Sequence, residues 1–599
     1  MRRRGPRSAS PAARIAAYPC ASPPVTLSSY SRSEHLRSLW PWLPLWTAVA
    51  LLAIFSHGPM PLYSTRTLAV AWEMWNGHHW LVPHINGAPY SEKAPLLFWL
   101  IHAGWFVFGV SDVWPRVLEV IFGGTELVLI SLIARRLFPH RAWMAKAAPW
   151  TLLALSYSFL FGLQIMYDVL LAVWALAALL CLAPTARREE PRWWLFGLCI
   201  GFGLLTKGPV MLLHVAFPWL LGPFWSGFAR AHRARWYGRG VLAVLLGLAM
   251  LVAWAVPAGF AGGPAYMHRL LFSQTAARVI HGVQTAQPLQ SHARPVLWYV
   301  LMLPALLFPF FGWPRAWVAL AALRRPLEPG LRFALAWVLP TFLVFSLVRG
   351  KQMYYLLPEL AGAMLLLCGA IAVLRERRPK LADTGWLGTW PLGVGSLAFA
   401  LLLFVLPNLV AGDHLHGDWP DACAPYSRYF AVVFLLLGLL LLLRGRGELR
   451  RLAVAGLVGT LALNSLFTLT LWPRYDLRPT AQLLGEAERA GHAIAYIGNY
   501  EGEFHFQARL TQPIQEVNSD RQVAAFAQAH PAGVIVEHPS TLDAQATRYA
   551  LLIQPFRSTW IVVWPAATLA DLRAGATPPE PAQPPQVYSA DGGRARAQP

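Results

Sequence analysis

Repeated apolar stretches as long as a bilayer is thick constrain this chain more than any other feature. Leu387 to Val410, Tyr429 to Leu443 and Leu452 to Trp472 are examples, each bounded by charged or turn-forming residues that let a helix re-enter water. Hydrocarbon offers backbone amides and carbonyls no hydrogen-bond partners, so these stretches are expected to be helices. The overall balance of 56% apolar and 13% charged residues agrees with a membrane protein, and a soluble fold would not need such runs.

A net charge of +21 in a soluble chain would point to nucleic acid. Here the arginines gather in short loops between apolar runs: Arg135 to Arg141, Arg187 to Arg192, Arg230 to Arg239, Arg324 to Arg332, Arg375 to Lys380 and Arg444 to Arg451. Such loops read as cytoplasmic, which leaves the intervening loops outside and excludes a nucleic-acid role for the charge. The five cysteines show no CxxC spacing, and several lie in apolar runs, so neither a zinc site nor a disulfide framework is expected.

The chain divides by composition. Residues 1–38, rich in Arg, Ser, Pro and Ala, read as a disordered basic cytoplasmic tail before an uncleaved first helix. Residues 39–472 form a transmembrane domain, with residues 57–94 as a large external loop. Within that loop, Thr65 to Trp75 has the spacing of an interfacial helix, with Trp72, Trp75 and Trp80 as headgroup-level anchors. Pro95 to Val110 and Val117 to Ala134 both look like spans, but two crossings would put the Arg135 loop outside, so the shorter first run is expected to be partial or re-entrant. The total is then about 13 crossings. Residues 473–576 alternate helix-like and strand-like segments and are expected to form a small periplasmic α/β domain. Residues 577–599, rich in Pro, Ala and Gly, read as a disordered tail.

The chemistry-bearing segment is Trp72 to Trp99, where Glu92 and Lys93 stand at the entrance of an apolar run. Ionisable residues there are expensive unless used, although a solvated pair at a helix start costs little. The segment resembles the R-E-M…G-D-W…P-H-x-N-G-x-x-Y-x-E-K-P-P-L signature of the bacterial aminoarabinose lipid A transferases, themselves related to protein O-mannosyltransferases. The resemblance runs from about residue 59 to residue 360 and includes LLTKGP at 204–209, HARPVLWYV at 292–300 and RGKQMYYLLP at 349–358.

This resemblance implies a polytopic α-helical membrane protein with a C-type glycosyltransferase fold in the bacterial inner membrane. It also implies a polyprenyl-phosphate-sugar donor, a lipid or glycan acceptor, and an external active site. Residue by residue, Glu92 and Asp168 match the family's acids. Arg66, Tyr90, Lys93, Lys207, His292, Lys351 and Tyr355 match positions that hold the substrate. Cations there neutralise the carrier phosphate as it leaves, and a carboxylate activates the acceptor.

The chain departs from the family where Asp-Glu-x-Arg is usual: it has Tyr63-Ser64-Thr65-Arg66, and it also has Ala94 in place of a proline. A non-catalytic binder of polyprenyl-phosphate-sugar, or a partner of an active transferase, is therefore carried as the alternative. A transporter would place its charges at the midplane of repeated halves and ranks last. His78, His79 and His84 suggest a metal, as related enzymes use a divalent ion, but neighbouring histidines in a wet loop more often meet headgroups.

Overall fold

The computed structural model describes residues 42–156, 164–185, 188–270, 294–323, 326–415, 417–445, 447–581, 583–588 and 594–595. The basic tail expected over residues 1–38 lies outside the described residues. So does His292.

The longer helices of the apolar part are α1 (Leu43–Phe55), α2 (Ser64–Asn76), α3 (Leu96–Phe108), α4 (Val113–Leu137), α5 (Ala142–Ala154), α6 (Tyr167–Leu182), α7 (Trp193–Lys207), α8 (Val210–Leu220), α9 (Arg233–His268), α10 (Pro329–Leu347), α11 (Leu357–Arg377), α12 (Trp390–Ala411), α13 (Asp418–Leu442) and α14 (Glu448–Thr470). Among the described residues, 7 helices are long and apolar enough to cross a membrane, namely α4 and α9 to α14, and α1, α3, α6, α7 and α8 are shorter apolar helices. The chain is thus a polytopic α-helical membrane protein carrying a C-terminal sheet domain.

Two sequence features explain the irregular spans. The 13 residues of α3 rise about 20 Å, well short of a hydrocarbon core of about 30 Å, in keeping with a partial element between the first loop and α4. In α9 the helix breaks at Gly263, whose φ of 82° lies in the left-handed region, beside Pro257 and Pro264.

The basic loops gather at one end. Arg141 pairs with Glu328 and, at 2.9 Å, with Glu376, tying three of these loops together. Arg235 and Arg239 both pair with Glu190. Arg315 bridges Glu448 at 2.9 Å and donates to the Thr384 carbonyl at 2.9 Å.

Beyond α14 the chain enters a seven-stranded sheet. A two-stranded hairpin, β1 (His84–Ile85) and β2 (Ala88–Pro89), lies in the first loop, and the sheet comprises β3 (Ile494–Ile497), β4 (Gln515–Val517), β5 (Val534–Glu537), β6 (Leu552–Phe556), β7 (Thr559–Pro565), β8 (Gln586–Tyr588) and β9 (Arg594–Ala595). The strand order is β4-β3-β5-β7-β6-β8-β9. Strand β3 runs parallel to β4 and β5, while β7 is antiparallel to β5 and β6.

Period-two alternation sorts the side chains between two faces. Ile494, Tyr496, Val536, Leu552 and Val563 pack with Leu484 of α15 (Arg478–Arg489). Ala495, Ile535, Ile553 and Val562 pack with Phe526 of α16 (Asp520–Ala529) and Leu569 of α17 (Ala566–Arg573).

The disorder expected of the tail over residues 577–599 is corrected at Gln586–Tyr588, where β8 pairs in parallel with β6, Leu552 opposite Gln586 and Ile553 opposite Val587. The edge of β6 otherwise exposes unpaired backbone groups, and the short apolar step at Val587 packs under the sheet. The anchoring role expected of Trp72 also needs correction, since its indole N–H donates to the Leu510 carbonyl at 2.7 Å, within the C-terminal domain.

That domain is seated on the first loop by matched backbone and side-chain contacts. Asn86 donates from Nδ2 to the Ile514 carbonyl at 2.9 Å and accepts the Ile514 amide at 2.8 Å. The Arg509 guanidinium lies 4.0 Å from the Phe506 ring centroid and 5.2 Å from that of Trp72, and Phe506 stacks on Trp105 at 5.6 Å. Gly502, with φ of +84°, approaches so closely that an added Cβ would sit 3.0 Å from Ala69 Cβ and 3.1 Å from Ile85 Cδ1. Gly502→Ala therefore meets both backbone strain and a crowded seat, and should weaken the docking by about 1–3 kcal/mol. Limited proteolysis of the full chain in detergent should then release the C-terminal domain faster than from the native protein.

Candidate functional site

The first loop builds one half of the site. Leu62 takes φ of 71°, and its amide donates to Thr65 Oγ1 at 2.9 Å, which turns the chain into α2 and sets Arg66 one turn in. Asn86 and Gly87, at φ of 52° and 74°, form the two-residue hairpin turn that left-handed backbone requires. Their amides donate to the two oxygens of Glu73, at 2.5 and 2.9 Å. Burial pushes the Glu73 carboxyl up from its ordinary value, and those two amides oppose the shift. The hairpin so held delivers Tyr90, Glu92 and Lys93 to the start of α3.

Around Arg66 the groups are close-set. Arg66 forms an ion pair with Glu501 of the C-terminal domain. The Tyr90 hydroxyl donates to Glu92 Oε2 at 3.4 Å. Burial, with the Glu92 charge behind it, raises the Tyr90 phenol above its usual range and keeps it a donor. Lys93 Nζ stands 5.6 Å from the Tyr167 ring centroid at the start of α6, so the loop meets the helical core there.

The other half rises from helix ends. Asp168 lies in the first turn of α6 and Lys207 in the last turn of α7, each where the helix dipole favours its charge. They form an ion pair whose side chains are only 6% and 11% exposed. Gly208, at φ of 70°, then turns the chain toward α8. Lys207 Nζ also sits 4.4 Å from the Tyr355 ring centroid and 5.5 Å from that of Tyr354. Lys351 is buried and donates to the Arg294 carbonyl at 3.0 Å, while the Arg294 amide donates to the Arg349 carbonyl at 3.1 Å. The Tyr299 hydroxyl donates to the Gln352 carbonyl at 2.8 Å, so 294–299 and 349–355, far apart in sequence, are laced together.

The structure thus brings Arg66, Tyr90, Glu92 and Lys93 into one cluster and Asp168, Lys207 and Tyr355 into a second, joined through Tyr167 and its neighbour Asp168, while Lys351 is turned to the Arg294 carbonyl. A further ring contact spans the two: Tyr63, where the family resemblance puts an acid, packs edge-on against Tyr354 at 6.0 Å, and Ser64 is buried. Glu501 was invisible to sequence reading, because it lies in a domain without a catalytic motif. The one available signal was its run of aromatic and acidic residues, Tyr500-Glu501-Gly502-Glu503-Phe504.

The histidines fit a metal poorly. His79 and His84 stack at 4.3 Å between ring centroids, and among the described residues no three His, Cys, Asp or Glu side chains gather as a metal set.

Comparison with known proteins bears on the family and the fold. Residues 92–256 match the family model described as dolichyl-phosphate-mannose-protein mannosyltransferase. The chain is 30% identical over 376 residues to an undecaprenyl phosphate-α-4-amino-4-deoxy-L-arabinose arabinosyl transferase of Pseudomonas paraeruginosa, covering 59% of this chain and 63% of that protein. It is 31% identical over 400 residues to the second such transferase of Pseudomonas fluorescens, covering 63% and 68%. The match to the first of these relatives spans less than two thirds of its length. In fold the chain is similar to the crystal structure of ArnT from Cupriavidus metallidurans bound to undecaprenyl phosphate, with a TM-score of 0.67 at 20% identity, covering 90% of this chain and 99% of that one. By sequence match, by fold and by the order of its motifs, the chain belongs to the family of the undecaprenyl phosphate-α-4-amino-4-deoxy-L-arabinose arabinosyl transferases.

Proposed function

We propose that this protein is a glycosyltransferase that moves a sugar from an undecaprenyl-phosphate carrier to an extracytoplasmic acceptor, lipid A being the acceptor that the family suggests. The observation that carries the reading is the convergence of Arg66, Tyr90, Glu92 and Lys93 with Asp168, Lys207 and Tyr355 beneath the C-terminal domain. On this reading the N-terminus is cytoplasmic and the C-terminal domain periplasmic, because the arginine-rich loops gather at the end of the bundle away from the site. The carrier's isoprenoid chain enters from the bilayer, and its phosphate meets Arg66 and Lys93, with Lys207 and Lys351 behind them.

The chemistry is a displacement at the anomeric carbon. An acceptor oxygen forms the new C–O bond, the old C–O bond to phosphate breaks, and undecaprenyl phosphate leaves with both electrons. Cations held at fixed positions stabilise the charge that develops on the leaving phosphate. Any proton on the acceptor passes to a carboxylate. Asp168 is neutralised by Lys207, so Glu92, which accepts the Tyr90 hydroxyl, is assigned that role and Asp168 the holding of Lys207.

Mass spectrometry of envelope lipids and glycans tests the reading. Cells lacking the protein should lose a sugar modification that the native chain restores and a Glu92→Gln chain does not. Full restoration by Glu92→Gln would remove Glu92 from the chemistry. The absence of an acid at Tyr63 and Ser64 favours a second reading, a non-catalytic binder of the carrier, which an unchanged glycan profile after deletion would support.

The buried pair carries its own expectation. Lys207→Met leaves Asp168 charged and unpaired in a site 6% exposed, which should cost about 3–5 kcal/mol. Adding Asp168→Asn should recover much of that loss. Thermal unfolding of the three variants in detergent measures both effects, and a double variant no more stable than Lys207→Met would mean that the pair is not what stabilises the helix ends.

A further inference from the structure

Resting on the transferase reading, the buried Glu503 carboxylate of the C-terminal domain still lacks a role. Glu503 lies in the turn Tyr500–His505, which stiffens itself: the Tyr500 hydroxyl accepts the amides of Phe504 at 3.0 Å and His505 at 3.1 Å and lies 2.8 Å from His505 Nδ1. The Tyr500 amide is fixed in turn on Glu516 Oε1 at 2.9 Å. Burial drops the His505 imidazole to about 4, so it is neutral and partners the hydroxyl without adding charge. Gly502 presses this turn onto α2 and the β1–β2 hairpin.

Inside the turn Glu503 is only 7% exposed, and its Oε2 accepts the Glu501 amide at 3.1 Å. The charged groups facing it are Arg66 from α2, Arg557 from the β6–β7 turn and Glu516 from β4. The phenols of Tyr496 on β3 and of Tyr500 in its own turn feel its charge in return. Arg66 is therefore paired with Glu501, whose amide a second, buried carboxylate holds, on the side of the site where Tyr63 and Ser64 supply none.

We propose that Glu503 is a positioning residue for Arg66: through its charge the C-terminal domain sets how much of that guanidinium is left to hold the carrier phosphate. Neutral Glu503 leaves Arg66 answering to Glu501 alone. Ionised Glu503 competes with the phosphate for the same cation.

Burial raises the Glu503 carboxyl to about 7, the nearby guanidinium groups opposing the shift. The sign follows directly. Between its ordinary value of 4.5 and about 7 the folded protein holds a proton that the unfolded chain has lost, so the seated turn is firmest at low pH and weakens as pH rises through about 7. Carrier affinity should fall as pH rises through about 7, where the folded protein itself loses the proton.

The test measures binding of undecaprenyl phosphate to the full chain in nanodiscs at pH 6 and pH 8, comparing the native protein with Glu503→Gln, which keeps an oxygen for the Glu501 amide. The lipid's own ionisation is common to both proteins and cancels in their affinity ratio. That ratio should change by about fivefold or more between the two pH values, in favour of the variant at pH 8, and Glu503→Asp should keep the native dependence. A ratio independent of pH overturns the proposal while leaving the transferase reading intact.

Infrared difference spectra over the same range separate the two failures. The native protein should lose one protonated-carboxyl band that Glu503→Gln lacks, and its absence would overturn the proposal. Carrier binding to neither protein, with that band titrating as expected, would sink the functional reading instead.

Discussion

Charge is expensive wherever water is excluded, and the acid and base at the floor of the site stand at helix ends. The Asp168–Lys207 pair shows how. Each member occupies the helix terminus whose dipole suits it, each neutralises the other, and the Tyr355 ring covers the ammonium. With those ends fixed, α6 and α7 present a polar floor at one end of the bundle. The arginine-rich loops are tied off at the other by Arg141, Arg235, Arg239 and Arg315.

On that floor the first loop and the C-terminal domain act as a unit. Neither half of the Arg66 cluster is complete alone, because the arginine comes from α2 and its carboxylates from a turn more than four hundred residues later. The β1–β2 hairpin serves as the fastener between them. Glu73 holds its turn from below, and Asn86 reaches from that turn to the edge of the sheet. A residue such as Glu73 thus shapes the site without facing it.

The sequence was most legible where local chemistry decides the outcome. Apolar runs long enough to span become helices because hydrocarbon leaves no alternative. The alternation in AIAYIG and WIVVW likewise marked strands β3 and β7. What could not be read depended on distant partners. Glu501 and Glu503 gain meaning only when their turn lands on α2. Trp72 looked like a lipid anchor until Leu510 supplied its acceptor, and β8 needed the open edge of β6 to become a strand at all. Lys351 matched a binding motif, yet its amine is turned to a backbone carbonyl, a contact that no motif encodes.

The join at Asn86 carries a consequence for how such a protein changes over time. Its amide grips only main-chain atoms of Ile514, a donor and an acceptor that every residue except proline provides. The clasp therefore asks nothing of the side chain at position 514, which answers instead to the apolar core it is buried in, whereas Asn86 itself cannot become aspartate without losing its donor. One partner is specified by the join itself and the other only by the packing of its own domain. A C-terminal sheet of quite different sequence could be fitted to this helical base, provided it offers the same two backbone groups at the same height.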